Sequence, residues 1–140
     1  MQTVFQRLFS CLDGLIPNLS ALSEGDSLYA PPRIAGDMAV HLAVSAVALP
    51  VIELEIAHDE VKGNEERPAP WIVIRVDVTA KTAEILAIQD QWRYEVAFSQ
   101  EDKPNPQRTS MNLYAVNWLT LMEHLGTVFH PTATNLVQKV

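Results

Sequence analysis

Two arginines and two glutamates, Arg75, Arg93, Glu84 and Glu95, fall in three successive segments where apolar and polar residues alternate. A guanidinium presents a rigid fork of N–H donors that fits a carboxylate or a phosphate. Alternation with period two sends every second side chain to the same face of a strand, so the register decides whether these charges meet. Aligning Ile72, Ile74 and Val76 with Ala87, Ile85 and Ala83 keeps one face apolar, whereas a slip of one residue would send core side chains into water. This alignment sets Arg75 opposite Glu84 and Asp77 opposite Thr82. Continued into the third segment, it sets Ile85 opposite Val96, Ala87 opposite Tyr94, Arg93 opposite Ile88 and Glu95 opposite Leu86. The second face then carries Arg75, Asp77, Glu84, Arg93 and Glu95 among Trp71, Val73, Leu86 and Ile88.

Such a face has three readings. It is a solvated ladder of ion pairs, each worth about 0.2–1 kcal/mol. It is a surface for a protein partner, with apolar anchors ringed by charge. Or Arg75 and Arg93 hold a small anion such as a nucleotide phosphate. The binding residues expected on the second and third readings are Trp71, Arg75, Glu84, Arg93 and Glu95. A non-enzymatic accessory protein is the main functional expectation, and an anion-binding protein or enzyme is the alternative.

Other chemistry is weakly supported. His58, Asp59 and Glu60 are adjacent in a polar stretch, which suits a solvated loop better than a metal site. Glu53 and Glu55 share a strand face about 7 Å apart, a separation that also occurs in glycosidases. Surface carboxylates alternate too often for that to mark catalysis. The four histidines, His41, His58, His124 and His130, have no ligand spacing. Nucleophile elbows, phosphate-binding glycine loops and dinucleotide fingerprints are missing from the sequence. No catalytic residue, metal ligand or cofactor is assigned.

The elements that must position these groups follow from periodicity. Residues 2–13 read as an amphipathic helix stopped by Gly14 and Pro17. Residues 28–34 read as an edge strand interrupted by Pro31 and Pro32. Residues 38–48 and 51–57 alternate as strands, the second with Glu53 and Glu55 on its wet side. A polar loop covers 58–70. The three alternating segments then form a meander, and residues 99–108 form a second polar loop. Thr109 or Ser110 can cap a final helix whose stripe is Met111, Tyr114, Trp118, Leu121, Met122 and Leu125. Asn112 flanks the stripe and needs a partner for its amide if buried. Gly126 suits a left-handed helix end. The fold class is α+β: one domain over 1–126, an antiparallel sheet of five or six strands with N- and C-terminal helices on one face, then an irregular tail over 127–140.

Composition narrows the partners. With 140 residues and 48% hydrophobic residues the chain can bury a real core. A net charge of −7, with ten scattered basic residues, argues against nucleic acid. The longest apolar run, 42–52, is too short to span a membrane, and the N-terminus lacks the layout of a signal peptide. The single cysteine, Cys11, excludes a disulfide framework and fits a reducing compartment. The sequence assigns no oligomeric state.

Arg75, Ala83, Glu84, Gln89 and Arg93, followed by Asn112, Trp118, Leu119 and Gly126, resemble the pattern of the YqiB-like family of small proteobacterial proteins. The likeness extends more weakly to Leu15, Ile16 and Pro17 and to the segments around Leu42 and Ile52. The chain departs from that pattern in its longer acidic loop at 58–70. The resemblance implies a bacterial cytoplasmic protein and brings no activity with it.

Overall fold

A computed structural model describes residues 2–31, 39–58, 71–89, 94–98 and 103–131. The first helix, α1 (Val4–Leu15), starts at a capping box. The Gln6 N–H donates to Thr3 Oγ1 at 3.1 Å, and the Thr3 N–H donates to Gln6 Oε1 at 2.9 Å. Its buried side is Leu8, Leu12 and Leu15, at helical spacing. Gly14 does not stop this helix but lies within it. A Cβ there would meet Glu123 Oε2 at 2.9 Å, the far end of an exposed side chain that can turn aside.

Among the described residues seven strands follow where five or six were expected: β1 (Ser27–Ala30), β2 (Val40–Ala48), β3 (Val51–His58), β4 (Trp71–Asp77), β5 (Thr82–Gln89), β6 (Tyr94–Val96) and β7 (His130–Pro131). They form one antiparallel sheet in the order β6-β5-β4-β3-β2-β1-β7. The second helix, α2 (Arg108–His124), precedes β7. The additional strand falls in the stretch expected to be an irregular tail. Phe129 is buried there, and His130 and Pro131 pair with Tyr29 and Leu28. Two residues are too few to show an alternating pattern. The remainder of that tail, like most of the 58–70 loop, lies outside the described residues.

Alternation builds the two faces of the sheet. Leu42, Val44, Ile52, Leu54, Ile56, Ile72, Ile74, Val76, Ala83 and Ile85 are buried together with residues of both helices in one core. The opposite face carries the charges. No helix among the described residues is long and apolar enough to cross a membrane.

Helix α2 buries a different stripe from the one expected. Met111, Trp118 and Met122 are buried, joined by Asn112, Ala115, Val116 and Leu119, whereas Tyr114, Leu121 and Leu125 are exposed. The helix is apolar on two overlapping sides, and packing against α1 and the sheet selects the one centred on Ala115 and Leu119. Gly126, at φ 76°, ends the helix as expected. The Gly126 N–H bonds to Glu123 O and the Thr127 N–H to Met122 O, the paired bonds of a Schellman end.

Candidate functional site

The wet face divides at a β-bulge between β4 and β5. On one side the expected register holds: Ile74 faces Ile85, Arg75 faces Glu84, Val76 faces Ala83 and Asp77 faces Thr82. Beyond it Val73 faces Ala87 and Ile72 faces Ile88, with Leu86 as the extra residue. Ala87 therefore moves to the wet face, and Ile88 turns to pack on the core. Pairing with β6 is displaced by two residues from the expected register, with Ala87 opposite Val96, Ile88 opposite Glu95 and Gln89 opposite Tyr94. Directly opposed residues share a face, so Glu95 lies on the helix side of the sheet, away from Arg75 and Glu84. Arg93 lies outside the described residues.

Past the bulge the wet face is closed over an aromatic. Trp71 is only 8% exposed and clusters with Ala57, Ala87 and Val73. Its Nε1–H donates to Glu55 Oε1 at 3.1 Å, and its ring stacks on Tyr94 with centroids 6.0 Å apart. Tyr94 and Val96 are the exposed apolar groups at this end.

Before the bulge the face is open and charged. Arg75 Nη2 donates to Glu84 Oε1, and Arg108 Nη2 donates to Glu84 Oε2 at 2.7 Å. Arg108 reaches this point because the start of α2 is fixed twice. Asn105 ties the preceding turn to β6, its Nδ2 donating to Val96 O at 3.0 Å and its N–H to Ala97 O at 2.8 Å. Asn112, wholly buried, then docks the helix on β5. Its Oδ1 accepts the Ile85 N–H at 2.9 Å and its Nδ2 donates to Arg108 O at 2.8 Å. Pairing between β5 and β6 starts only at Ala87, and Asn112 supplies the acceptor that Ile85 would otherwise lack. The expected partner for a buried Asn112 amide is thus found on a strand.

The Arg108 guanidinium lies 4.7 Å from the Phe98 ring centroid and 5.7 Å from that of Phe5. Its Nε is buried without a hydrogen-bond acceptor among the described residues. For Glu84, partial burial would raise the carboxyl pKa. The hydrogen bonds from Arg108 and Arg75, with the charge of both, outweigh burial and hold it below the ordinary 4.5.

These groups line an open cleft of about 470 Å³ with Phe5, Val51, Arg75, Asp77, Thr82, Ala83, Glu84 and Arg108 on its walls. Small-ligand sites commonly run to about 300–1,000 Å³. Asp77 is partly engaged: its Oδ1 accepts the N–H groups of Thr79 and Ala80 at 3.1 and 2.9 Å. Of the expected binding residues, the structure brings Arg75 and Glu84 together, buries Trp71 a short way along β4, and separates Glu95. It adds Arg108 and Phe5, which sequence reasoning missed. Arg108 lies four residues before Asn112, one helical turn, so an Asn112 bond to β5 would already have carried Arg108 to the strand.

No group of three or more His, Cys, Asp or Glu able to hold a metal occurs among the described residues. No protein-family model, curated protein or solved structure matches the chain. The resemblance to YqiB-like proteins therefore rests on the sequence pattern alone.

Proposed function

We propose that the chain is a non-enzymatic binding protein whose working site is the charged end of the sheet face, where Arg75 and Arg108 receive an anionic group. One observation carries this reading: two guanidiniums from distant parts of the chain converge on one cleft in a protein of net charge −7. Glu84 neutralises one of them and spreads its carboxylate over both. The Arg75 side chain is still 46% exposed, which leaves its donors within reach of a ligand. Arg108 supplies a second guanidinium beside Arg75, and Arg93, for which the sequence suggested that part, lies outside the described residues. The cytoplasmic location and bacterial origin expected from the sequence belong to the same proposal.

A thermal-shift screen with benzoate and inorganic phosphate tests it. At least one anion should raise the Tm of the wild type, should lose that effect in 0.5 M NaCl, and should leave Arg75→Ala unmoved. An equal shift in the variant removes the cleft from the function.

A second reading keeps a protein partner on the same face, favoured by exposed Tyr94 and Val96 beside buried Trp71. On it, Tyr94→Ala together with Val96→Ser abolishes capture of the partner in a pull-down, and Arg75→Ala does not.

A further inference from the structure

We infer that the outward side of α2 is a self-association surface, on which a second copy of this chain packs its own α2 antiparallel. The surface shares no residue with the wall of the charged cleft. It is set by the composition of the helix: no residue from Thr109 to Met122 is charged, in a chain of net charge −7. A helix lying on a core shows water a charged or polar side, whereas one that is apolar all round is covered all round. The two helices differ in this respect. Helix α1 shows water Gln6, Arg7, Ser10 and Asp13. Helix α2 shows it Leu113, Tyr114, Leu121 and Leu125, followed by Val128, each 38–56% exposed.

Spacing, charge and area select a second copy as the cover. Tyr114, Asn117, Leu121 and His124 recur along the exposed side at intervals of three, four and three residues, the period of a helix–helix seam, with Leu113 and Leu125 flanking it. Two copies at −7 repel one another, so they can meet only where carboxylates are absent. Glu123 is turned toward Gly14 of α1, away from the seam. A two-fold crossing between Asn117 and Leu121 sets Leu113 of one copy against Leu125 of the other, and holds the two His124 residues about 15 Å apart along the axis. The antiparallel order also places each helix start beside the other's end, the favourable sense for their dipoles. The five exposed apolar side chains offer on the order of 400 Å², a patch of the size that marks contact sites on soluble proteins. Interfaces are a little over half apolar, so with a polar rim this corresponds to roughly 700 Å² a side, close to the roughly 800 Å² of a stable pair.

Sedimentation equilibrium of the full chain, from about 5 to about 500 μM, tests this. The wild type should pass from monomer to dimer in that range and form nothing larger, because a two-fold contact closes on itself. Raising NaCl from about 0.05 to about 0.5 M should strengthen the dimer, since salt screens the repulsion between the chains and leaves the apolar contact in place. Leu121→Lys with Leu125→Lys places charge in the contact at exposed positions, where lysine suits the end of a helix. This double variant should keep the wild-type circular dichroism and raise the dimer Kd at least about tenfold. Tyr94→Ser, at the other exposed apolar patch, should leave the Kd unchanged. If the double variant fails to fold, the concentration and salt series on the wild type still decide. Monomer at every concentration overturns the proposal and leaves the stripe to a different protein. A dimer that salt dissociates, that the two lysines leave untouched or that Tyr94→Ser disrupts instead overturns it as well.

Discussion

The two ends of the wet sheet face differ by one residue of register and by almost everything that follows from it. Before the bulge, Arg75, Glu84 and Arg108 meet in an open cleft. After it, Trp71 is covered by Tyr94, hydrogen-bonded by Glu55 and packed on Ala57 and Ala87. The same two strands build both ends. The extra residue, Leu86, brings Ala87 beneath the aromatic and sends Ile88 to the core. One end is packed and the other is open, and on the proposed function mutations should divide along that line.

The largest effect is expected at the aromatic end. Trp71→Ala removes a nearly buried indole and its hydrogen bond and should cost about 3 kcal/mol in urea unfolding. Anion-induced shifts in Tm should survive in whatever fraction folds. A loss below 1 kcal/mol would mean that this end is surface, and the contrast between the two ends would collapse.

Next comes the joint that supports the charged end. Asn112→Ala leaves the Ile85 N–H without its acceptor and should cost about 2 kcal/mol. It also frees the start of α2, so binding at Arg108 should weaken with stability. Hydrogen exchange at the Ile85 amide reads this directly: exchange unchanged from the wild type would show that Asn112 does not hold the helix to β5.

How much of this was legible follows from where the signal lay. The pair Arg75 and Glu84 could be read because Ile74, Val76, Ala83 and Ile85 alternate with them and admit one register. The bulge could not, because Leu86, Ala87 and Ile88 are all apolar and carry no parity. Tyr94, Glu95 and Val96, placed beyond them, inherited the wrong register. Arg108 lies beyond a polar loop, and only the tertiary docking of Asn112 brings it to Glu84. Likewise α2 offers two apolar stripes, and nothing local says that Tyr114, Leu121 and Leu125 face out. Local alternation thus located every described strand but β7 and the Arg75–Glu84 half of the candidate site, while the remaining half depended on one inserted residue and one helix docking.

A smaller effect is expected from pH. The Glu84 carboxyl is held below 4.5, so its stabilising contribution is fully present above that value and fades as the pH falls through the lowered pKa. The wild type should exceed Glu84→Gln in stability by a constant margin above about pH 5 and converge with it in more acid solution. Chemical unfolding at pH 7, 5, 4 and 3 measures the gap. A gap that persists unchanged to pH 3 would show that the carboxylate charge is not what binds the two arginines.

The smallest effect on stability and the sharpest on function belong to Arg75→Ala. Arg75 is half exposed, and an ion pair of that kind contributes at most about 1 kcal/mol. Glu84 keeps Arg108 as its partner, so the buried side of the network is not orphaned. The variant should unfold within about 1 kcal/mol of the wild type, while its affinity for the cleft ligand falls by at least about tenfold, because a charge-assisted bond in the cleft is lost. Arg75→Lys sharpens the result: it restores the charge without the fork and should recover only part of the binding. If Arg75→Ala instead unfolds the protein as Trp71→Ala does, the charged end is structural like the aromatic end. If it folds and binds normally, the ion pair is a solvated one and the open half of the face is not the working surface.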